Sequence, residues 1–559
     1  LTLSIALIQG GFFVGNIAAN VARITAFYRM ATIAKADLVV FPEMAITGYP
    51  PEDLVFQESF QQRSSEALER CAKLTADGPA ILIGGLSREG QLLFNTVFLL
   101  DRSQVVARQA KRHLPNYGVF DEQRYFHPGP LPEPLAWRDT RLGVMICEDM
   151  WHPQVALNLK KRGAEILICI NASPYEIEKP AARETMAAAR VAETGLALCY
   201  LNQVAGQDDL VFDGSSFVMN ERAQVCARLD SFREDFVVTA FEQQGRRLAP
   251  VPCLQQETKP RCENEMIYRA LVLALRDFIA KNGFAGIVLG LSGGIDSALA
   301  AALAVEAVGK SSVRAVMLPS PFTPQDSIDD AEDCARRLGI RFETIAIGSA
   351  MDAFSATMHD VFGGHMPDVA VGDFQPRLRG CVLMALSRKE NLLLLNTGNK
   401  SEMATGYTTI YGDMCGHFAV LKDIYKTTVY ALADWRNRQG SVIPLRTISK
   451  APSAELLPGQ TDQDTLPPYA ILDQVLFQMI EQRRDIHQIV EQGFERTMVE
   501  EVSGMVHRAE FKRRQSAPGP KISTMAFSRE RRYPISDGWY VEQHGKLISG
   551  RPPGKNTER

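Results

Sequence analysis

Gly290-Leu-Ser-Gly-Gly-Ile-Asp-Ser297 follows directly on the apolar run Ile287-Val288-Leu289 and leads into Ala-Leu-Ala-Ala-Ala-Leu. A buried strand therefore opens through a glycine loop into a helix. Gly293 and Gly294 let the backbone approach a phosphate closely, and the free N–H groups of the helix start point at it. Ser292 and Ser297 add hydroxyl donors. Asp296 is out of place in a pure anion site, because a bare carboxylate repels phosphate; it fits if it holds Mg²⁺ against a pyrophosphate. The string lacks the Gly-Lys-Ser/Thr ending of a Walker A loop. A structural turn is the competing reading, and the strand–loop–helix context argues against it.

Around this loop the pattern is that of βα units. Strands are expected at 286–291, 313–318, 342–347 and Leu392–Asn396. Helices are expected at 297–308, 326–338 and near Gln375–Arg388, with a long amphipathic helix ahead of them at Glu263–Asn282. This alternation predicts a doubly wound parallel sheet with ligand at the carboxyl ends of its strands. The Gly/Pro-rich stretches 404–423 and 449–468 read as long loops of the active-site lid kind. The first half also alternates. Strands are expected at Leu3–Ile8, Leu38–Phe41, Ile81–Leu86, Leu92–Leu100, Leu142–Cys147, Glu165–Ile170 and Leu196–Asn202. Helices are expected at Ala18–Ala34, Pro153–Arg162 and Pro180–Thr194. The expected domains are 1–243 and 262–535, with a Gln/Pro-rich linker at 244–261 and a disordered tail from Ser536 to the end.

The 559 residues are too many for one core, and 46% hydrophobic with 23% charged residues is ordinary for a soluble globular protein. A net charge of −4 offers no basic surplus for nucleic acid. No apolar run reaches membrane-spanning length and no signal peptide is visible. The ten cysteines form no CxxC pair, and several lie in apolar runs, so a reducing, cytoplasmic setting is expected.

The Ser-Gly-Gly-Ile-Asp-Ser loop resembles that of the ATP pyrophosphatases, which split ATP between its α- and β-phosphates and adenylate a substrate. Gly290, Ser292, Gly293, Gly294, Asp296 and Ser297 are the ATP positions this implies. Three signals stand out in the first half. Leu38-Val-Val-Phe-Pro-Glu43 ends a strand with a carboxylate, Ala110-Lys111 carries a lysine, and Leu142-Gly-Val-Met-Ile-Cys-Glu-Asp149 puts a thiol at a strand end. Singly these read as surface or core residues. Together they resemble the Glu-Lys-Cys triad of the nitrilase superfamily. Ile46-Thr-Gly-Tyr-Pro-Pro-Glu-Asp-Leu54 and Leu114-Pro-Asn-Tyr-Gly-Val-Phe-Asp-Glu122 are similar to the glutaminase domain of glutamine-dependent NAD⁺ synthetases. The resemblance implies a nitrilase-like α/β/β/α sandwich ahead of an adenine nucleotide α-hydrolase-like synthetase domain. In it, Glu43, Lys111 and Cys147 are catalytic, and Tyr117, Phe120, Glu148, Ser173 and Lys179 line a glutamine pocket. Glu122 would support Lys111, and His113 is read as packing.

The resemblance runs from about Ser4 to Ile535. Leu395-Asn-Thr-Gly-Asn-Lys-Ser-Glu-Met403 places Thr397 at ATP and Glu402 at deamido-NAD or Mg²⁺, so Asp296 and Glu402 are the implied metal ligands. Lys426 and Ser453 follow as ATP contacts, and Asp373 and Lys512 as deamido-NAD contacts. The implied partners are glutamine, ATP and deamido-NAD⁺, and a homodimer through the synthetase domains or a larger homo-oligomer; neither nucleic acid nor membrane is expected. Four positions depart from the family pattern: Asp373 for asparagine, His417 for glycine, Tyr425 for proline and Leu457 for arginine. Competing readings are an ATP-pyrophosphatase amidotransferase acting on another acid, and a catalytically silent scaffold with relic domains.

Overall fold

The computed structural model describes residues 2–251, 261–364, 368–457, 459–536 and 538–539. The chain divides into one compact unit ending at Asn282 and a second beginning at Gly283.

The first unit is built on two sheets. One has seven strands in the order Arg247–Pro250, Asp235–Gln244, Thr2–Gln9, Leu38–Val40, Ala80–Glu89, Leu92–Asp101, Gln104–Ala110. The other has six, in the order Val225–Arg228, Phe217–Met219, Leu198–Asn202, Ile166–Asn171, Thr140–Ile146, Leu135–Trp137. Side chains alternate along each strand, so each sheet has two faces to bury. Leu3, Ile5, Leu7, Leu38, Val40 and Leu82 share a core with Val144, Ile146, Ile168, Ile170 and Leu201, which packs the sheets face to face. Ala6, Ile8, Val39 and Phe41 turn outward onto Val21, Ile24 and Tyr28 of helix Ile17–Ile33 and onto Phe60 and Ala67 of helix Glu58–Leu74. Met145, Leu167, Cys169 and Leu198 do the same onto Val155 and Leu159 of helix Pro153–Lys161 and Ala187 and Val191 of helix Lys179–Thr194. The result is a four-layered α/β/β/α sandwich. Burial on both faces explains why the central strands read as unbroken apolar runs.

The expected linker is shorter than its composition suggests. Arg247–Pro250 is a strand, paired antiparallel with Gln244–Phe241. Residues 252–260 of that linker lie outside the described residues, as does nearly all of the expected tail. Helix Glu263–Asn282, expected to open the second domain, groups with the first unit. Its reason is local. Gly206 N–H donates to Asp277 Oδ2 at 2.8 Å, and Lys281 Nζ donates to Gly206 O at 2.6 Å. Gly206 lies on strand Val204–Gln207 of a two-stranded sheet with Leu210–Asp213, and a Cβ there would lie 2.9 Å from Ala274 Cα, so the helix backbone and that strand touch directly.

The second unit holds a five-stranded, all-parallel sheet in the order Arg341–Thr344, Val313–Met317, Gly286–Gly290, Leu392–Asn396, Phe418–Ala419. Helix Asp368–Glu390 covers one face through Leu378, Val382 and Leu383 against Val288, Val316 and Leu394. Strand order reverses between Gly286–Gly290 and Leu392–Asn396, and ligands of such sheets bind outside the strand ends at that reversal. Beyond the sheet, Met403, Leu472, Leu476, Val499 and Val502 gather the C-terminal helices into a separate core. Among the described residues no helix is long and apolar enough to cross a membrane.

Candidate active sites

Cys147 directly follows the strand Thr140–Ile146 and begins a single 3₁₀ turn, Cys147–Trp151. Its φ of 45° lies in the left-handed region, a strained setting for a side chain other than glycine. Asp149 holds this turn, because its carboxylate accepts the backbone N–H groups of Ile146 at 3.2 Å, Arg112 at 3.1 Å and His113 at 2.8 Å. Burial pushes the Asp149 carboxyl up to about 7.

Lys111 Nζ lies between two carboxylates, 2.7 Å from Glu43 Oε1 and 2.8 Å from Glu122 Oε1. All three side chains are at most 1% exposed. Burial pulls Lys111 down, but Glu122 and Glu43 outweigh it and hold the ammonium above its ordinary range. Burial, then the neighbouring Glu43 charge, raises the Cys147 thiol well above its usual value, so the resting residue is a neutral thiol. Burial raises Glu122 to about 7. Glu43 is fixed on every side: Asn95 Nδ2 donates to Oε1 at 2.7 Å, and Ala172 N–H donates to Oε2 at 2.8 Å. Such locking is what a proton-transferring carboxylate needs.

Gly84 makes room for it. A Cβ there would lie 2.4 Å from Met44 N and 2.7 Å from Glu43 Cα. Gly84→Ala is expected to cost about 1–3 kcal/mol and to displace Glu43. Thermal unfolding and glutamine hydrolysis measured on the variant check this, and wild-type values for both would contradict it.

Tyr117 OH donates to Glu148 Oε2 at 2.9 Å, and Phe120 meets the Tyr117 ring edge-on with centroids 5.6 Å apart. Lys179 Nζ lies 4.9 Å from the centre of the Trp151 ring. Ser173 is tied by Asn202 and by buried Arg183, whose Nη2 donates to Ser173 O at 2.8 Å while Nη1 pairs with Asp213 at 2.6 Å. His113 packs as expected, but its partner is the ring of His152.

The second site is a cavity of about 300 Å³ at the strand-order reversal. Gly290, Ser292, Gly293, Gly294, Asp296, Ser297, Thr397, Lys426 and Ser453 all line it, as does Glu402. Both long loops contribute, through Tyr407, Gly412 and Asp413 and through Lys450, Glu455 and Asp462. Gly293 has φ 83°, and a Cβ there would strike Ser327 O at 2.3 Å, so no other residue fits the loop. The serine hydroxyls serve the loop itself. Ser297 Oγ donates to Gly294 O at 2.9 Å and accepts Ser292 N–H at 3.2 Å.

Lys426 pairs with Asp296 and lies 3.6 Å from Glu402. Asn399 Nδ2 donates to Asp296 Oδ1 at 3.0 Å, and Asn399 N–H donates to Glu402 Oε2 at 3.2 Å. Burial, then the Asp296 charge, raises Glu402 to about 8. The Asp296 and Glu402 carboxylates, both on the cavity wall beside a phosphate-type loop, suit Mg²⁺, which binds one or two carboxylates plus phosphate oxygens. Among the described residues no cluster of three or more His, Cys, Asp or Glu side chains is arranged to hold a metal alone.

Asp373 and Lys512 do not line the cavity. Asp373 is on helix Asp368–Glu390 with its side chain 58% exposed, 3.8 Å from Arg377 Nη1 one turn on. Lys512 Nζ donates to Gly406 O at 2.8 Å and Thr408 O at 2.6 Å. The departures have structural uses. His417 Nδ1 accepts Leu394 N–H at 3.0 Å, and Tyr425 OH donates to Glu481 Oε1 at 3.0 Å. Glu481 and Asp423 both pair with buried Lys400, at 2.6 and 2.8 Å, next to Asn399. Asn95, Asp149, Arg183, Asn399 and Lys400 are supports that motif reading did not single out, although Asp149, Asn399 and Lys400 lie inside the quoted strings.

Residues 4–250 match the carbon–nitrogen hydrolase family and residues 267–516 the NAD synthase family. The chain is 45% identical over 535 residues to the glutamine-dependent NAD(+) synthetase of Rhodobacter capsulatus, spanning 94% of this chain and 97% of that protein. It is 42% identical over 546 residues to that of Acinetobacter baylyi, spanning 96% and 99%. A solved structure of the Acinetobacter baumannii glutamine-dependent NAD⁺ synthetase in complex with ADP is 38% identical, with a TM-score of 0.78 over 96% of this chain and 99% of that one. At these identities and coverages the chain belongs to the glutamine-dependent NAD⁺ synthetases, glutamine-hydrolysing ligases of NAD biosynthesis.

Proposed function

We propose that the chain amidates deamido-NAD⁺ to NAD⁺, consuming ATP and glutamine and releasing AMP, pyrophosphate and glutamate. One observation carries this reading: an intact, buried Glu43–Lys111–Cys147 constellation occurs in the same chain as a cavity onto which every expected ATP position opens.

At the first site Cys147 Sγ attacks the side-chain carbonyl carbon of glutamine as Glu43 takes the thiol proton. The raised thiol makes proton transfer concurrent with attack, since a resting thiolate is disfavoured. Lys111 stabilises the tetrahedral oxyanion. Collapse expels ammonia, with the proton returned by Glu43, and leaves a thioester. Water attacks it, Glu43 again takes a proton, and glutamate departs with the thiol restored. Tyr117, Phe120, Glu148, Ser173 and Lys179 hold the amino-acid end of the substrate.

At the second site a carboxylate oxygen of the nicotinate attacks the α-phosphate of ATP, and pyrophosphate leaves. Ammonia attacks the resulting acyl adenylate at its carbonyl carbon, loses a proton, and AMP leaves with the C–O bond electrons. AMP is a good leaving group and a bare carboxylate oxygen is not, which is why ATP is needed. The Gly293–Gly294 amides, Thr397, Ser453 and Lys426 bind the nucleotide. Asp296 and Glu402 would hold Mg²⁺, which neutralises the pyrophosphate when bound. Dimerisation through the synthetase half, or a larger homo-oligomer, and a cytoplasmic location complete the reading.

Deamido-NAD⁺ would extend from the cavity over residues 406–413 towards Asp373 and Lys512. Asp373 and Asp413 both act electrostatically on Lys512, which supports one shared neighbourhood. Asp373→Asn is expected to bind deamido-NAD⁺ as the wild type does, and Asp373→Ala about tenfold more weakly. Titration of the three proteins checks this; equal affinity of the alanine variant would remove Asp373 from the substrate site.

The reading as a whole is tested by incubating the chain with ATP, glutamine and a panel of carboxylic acids. NAD⁺ and AMP should form in equal amounts with deamido-NAD⁺. AMP formed only with another acid would overturn the assignment.

A further inference from the structure

Among the described residues, three cationic side chains line the cavity of the second unit: Arg379, Lys426 and Lys450. Two of them are paired. Lys426 meets Asp296 and Glu402, and Lys450 meets Glu455 at 3.1 Å and Asp326 at 3.4 Å. Arg379 differs. Its Nε donates to Leu318 O at 2.9 Å, just past strand Val313–Met317. Among the described residues its guanidinium makes no other hydrogen bond and no ion pair, and the residue is half-buried on the cavity wall. Glu455 and Asp413, one from each long loop, act on it at longer range. A partly desolvated cation with no carboxylate against it is unfavourable, and a bound anion relieves that.

Its place in the fold says which anion. Pro376, Arg379, Gly380 and Leu383 of helix Asp368–Glu390 all line the cavity, and their three- and four-residue spacing puts them on one helix face. At one end of that face, a Cβ on Gly290 would lie 3.3 Å from Leu383 Cδ1, so Leu383 touches the start of the phosphate-type loop. At the other end, a Cβ on Gly412 would lie 2.6 Å from Pro376 Cβ, so Pro376 touches the segment read as the path of deamido-NAD⁺. Arg379 lies between the two. Glu402 and Lys426 follow strands Leu392–Asn396 and Phe418–Ala419, on one side of Gly286–Gly290 in the sheet, whereas Leu318 follows Val313–Met317 on the other. The metal-type face and the free guanidinium therefore flank the loop from opposite sides. The anion that must come up to the α-phosphate of ATP is the nicotinate carboxylate. Carboxylate and triphosphate repel each other, and a guanidinium fork matches a carboxylate in geometry and charge.

We propose that Arg379 is a catalytic residue of the adenylation step: the free edge of its guanidinium holds one oxygen of the nicotinate carboxylate and leaves the other to attack the α-phosphorus of ATP. Arg379 forms no covalent bond in that step. The new bond joins the carboxylate oxygen to the α-phosphorus, the bond between the α-phosphorus and the bridging oxygen breaks, and pyrophosphate leaves with the electron pair. This rests on reading the cavity as the site that amidates deamido-NAD⁺. The same contact makes Arg379 the residue that tells substrate from product, since NAD⁺ carries a neutral amide where deamido-NAD⁺ carries the carboxylate.

The test is equilibrium titration of the full chain with deamido-NAD⁺, NAD⁺ and ATP, each alone, for wild type, Arg379→Gln and Arg379→Lys, with melting temperatures to verify folding. Wild type should bind deamido-NAD⁺ about tenfold or more tightly than NAD⁺, the size of losing a hydrogen bond to a charged group. Arg379→Gln should bind the two dinucleotides alike, with NAD⁺ and ATP affinities within about twofold of wild type. Arg379→Lys, which keeps the charge without the fork, should retain part of the preference, and it decides the matter if the glutamine variant melts early. A full preference for deamido-NAD⁺ in Arg379→Gln, equal loss of both dinucleotides, loss confined to ATP, or no preference in the wild type would overturn the proposal. Failure of the wild type to bind deamido-NAD⁺ at all would instead overturn the reading of the cavity, and the proposal with it.

Discussion

Cys147→Ala is expected to abolish NAD⁺ formation from glutamine and to leave formation from ammonium intact. On the proposed mechanism the thiol is the nucleophile for the amide and forms the thioester. Loss of a covalent nucleophile typically costs on the order of a millionfold in turnover, which is below detection here. The substitution is mild for the fold. Alanine meets the same left-handed backbone at φ 45° as cysteine does, and the Asp149 bonds that hold the turn go to main-chain groups. Ammonia from solution reaches the adenylate without the first site. Initial rates of NAD⁺ formation with each nitrogen donor, for both proteins, decide it. Equal loss with both donors would mean that Cys147 supports the fold and is not the source of ammonia.

Asp296→Asn is expected to lower synthesis with either donor by on the order of a hundredfold or more, the usual size of losing one electrostatic anchor of a transition state. Asp296 has two jobs in the cavity. It pairs with Lys426, and with Glu402 it makes the two-carboxylate face suited to Mg²⁺. The amide keeps the shape and the Asn399 neighbourhood but not the charge. Lys426 then keeps Glu402 at 3.6 Å and the Tyr469 ring at 5.3 Å. Glutamine hydrolysis uses none of these groups and should persist. Assays of AMP release and glutamate release on the same preparation separate the two activities. Wild-type AMP release with ammonium would refute the role.

The central strands were legible because they are buried and bounded by turn residues. Leu392–Asn396 has the limits its pattern implies, and Glu263–Asn282 does too. The helix Glu58–Leu74 was not legible. It buries Phe60, Ser64, Ala67, Cys71 and Ala72 at helical spacing, but Phe60 is the one large apolar side chain among them, so the stripe carries little apolar signal. The strand Gln104–Ala110 is at a sheet edge and mostly exposed, so it lacks an apolar face to read. Glu43 and Lys111, named from separate strings, do meet in one buried cluster, because few residue types suit the chemistry those strings suggest. Their supports were not legible, because Asn95 and Arg183 act through spatial neighbours 52 and 30 residues away. The packing of Glu263–Asn282 against Gly206 was also hidden. It depends on Gly206 being small enough for the helix backbone to touch it, a contact between residues about seventy apart.

The central claim is that one chain moves nitrogen from the glutamine side chain onto an adenylated acid. Wild-type protein incubated with ATP, deamido-NAD⁺ and glutamine labelled with ¹⁵N at the amide tests it most directly, read by mass spectrometry of the product. The account predicts NAD⁺ carrying the label, formed in equal amounts with AMP and glutamate, and no labelled NAD⁺ from Cys147→Ala. Unlabelled NAD⁺, or AMP released without NAD⁺, would contradict it.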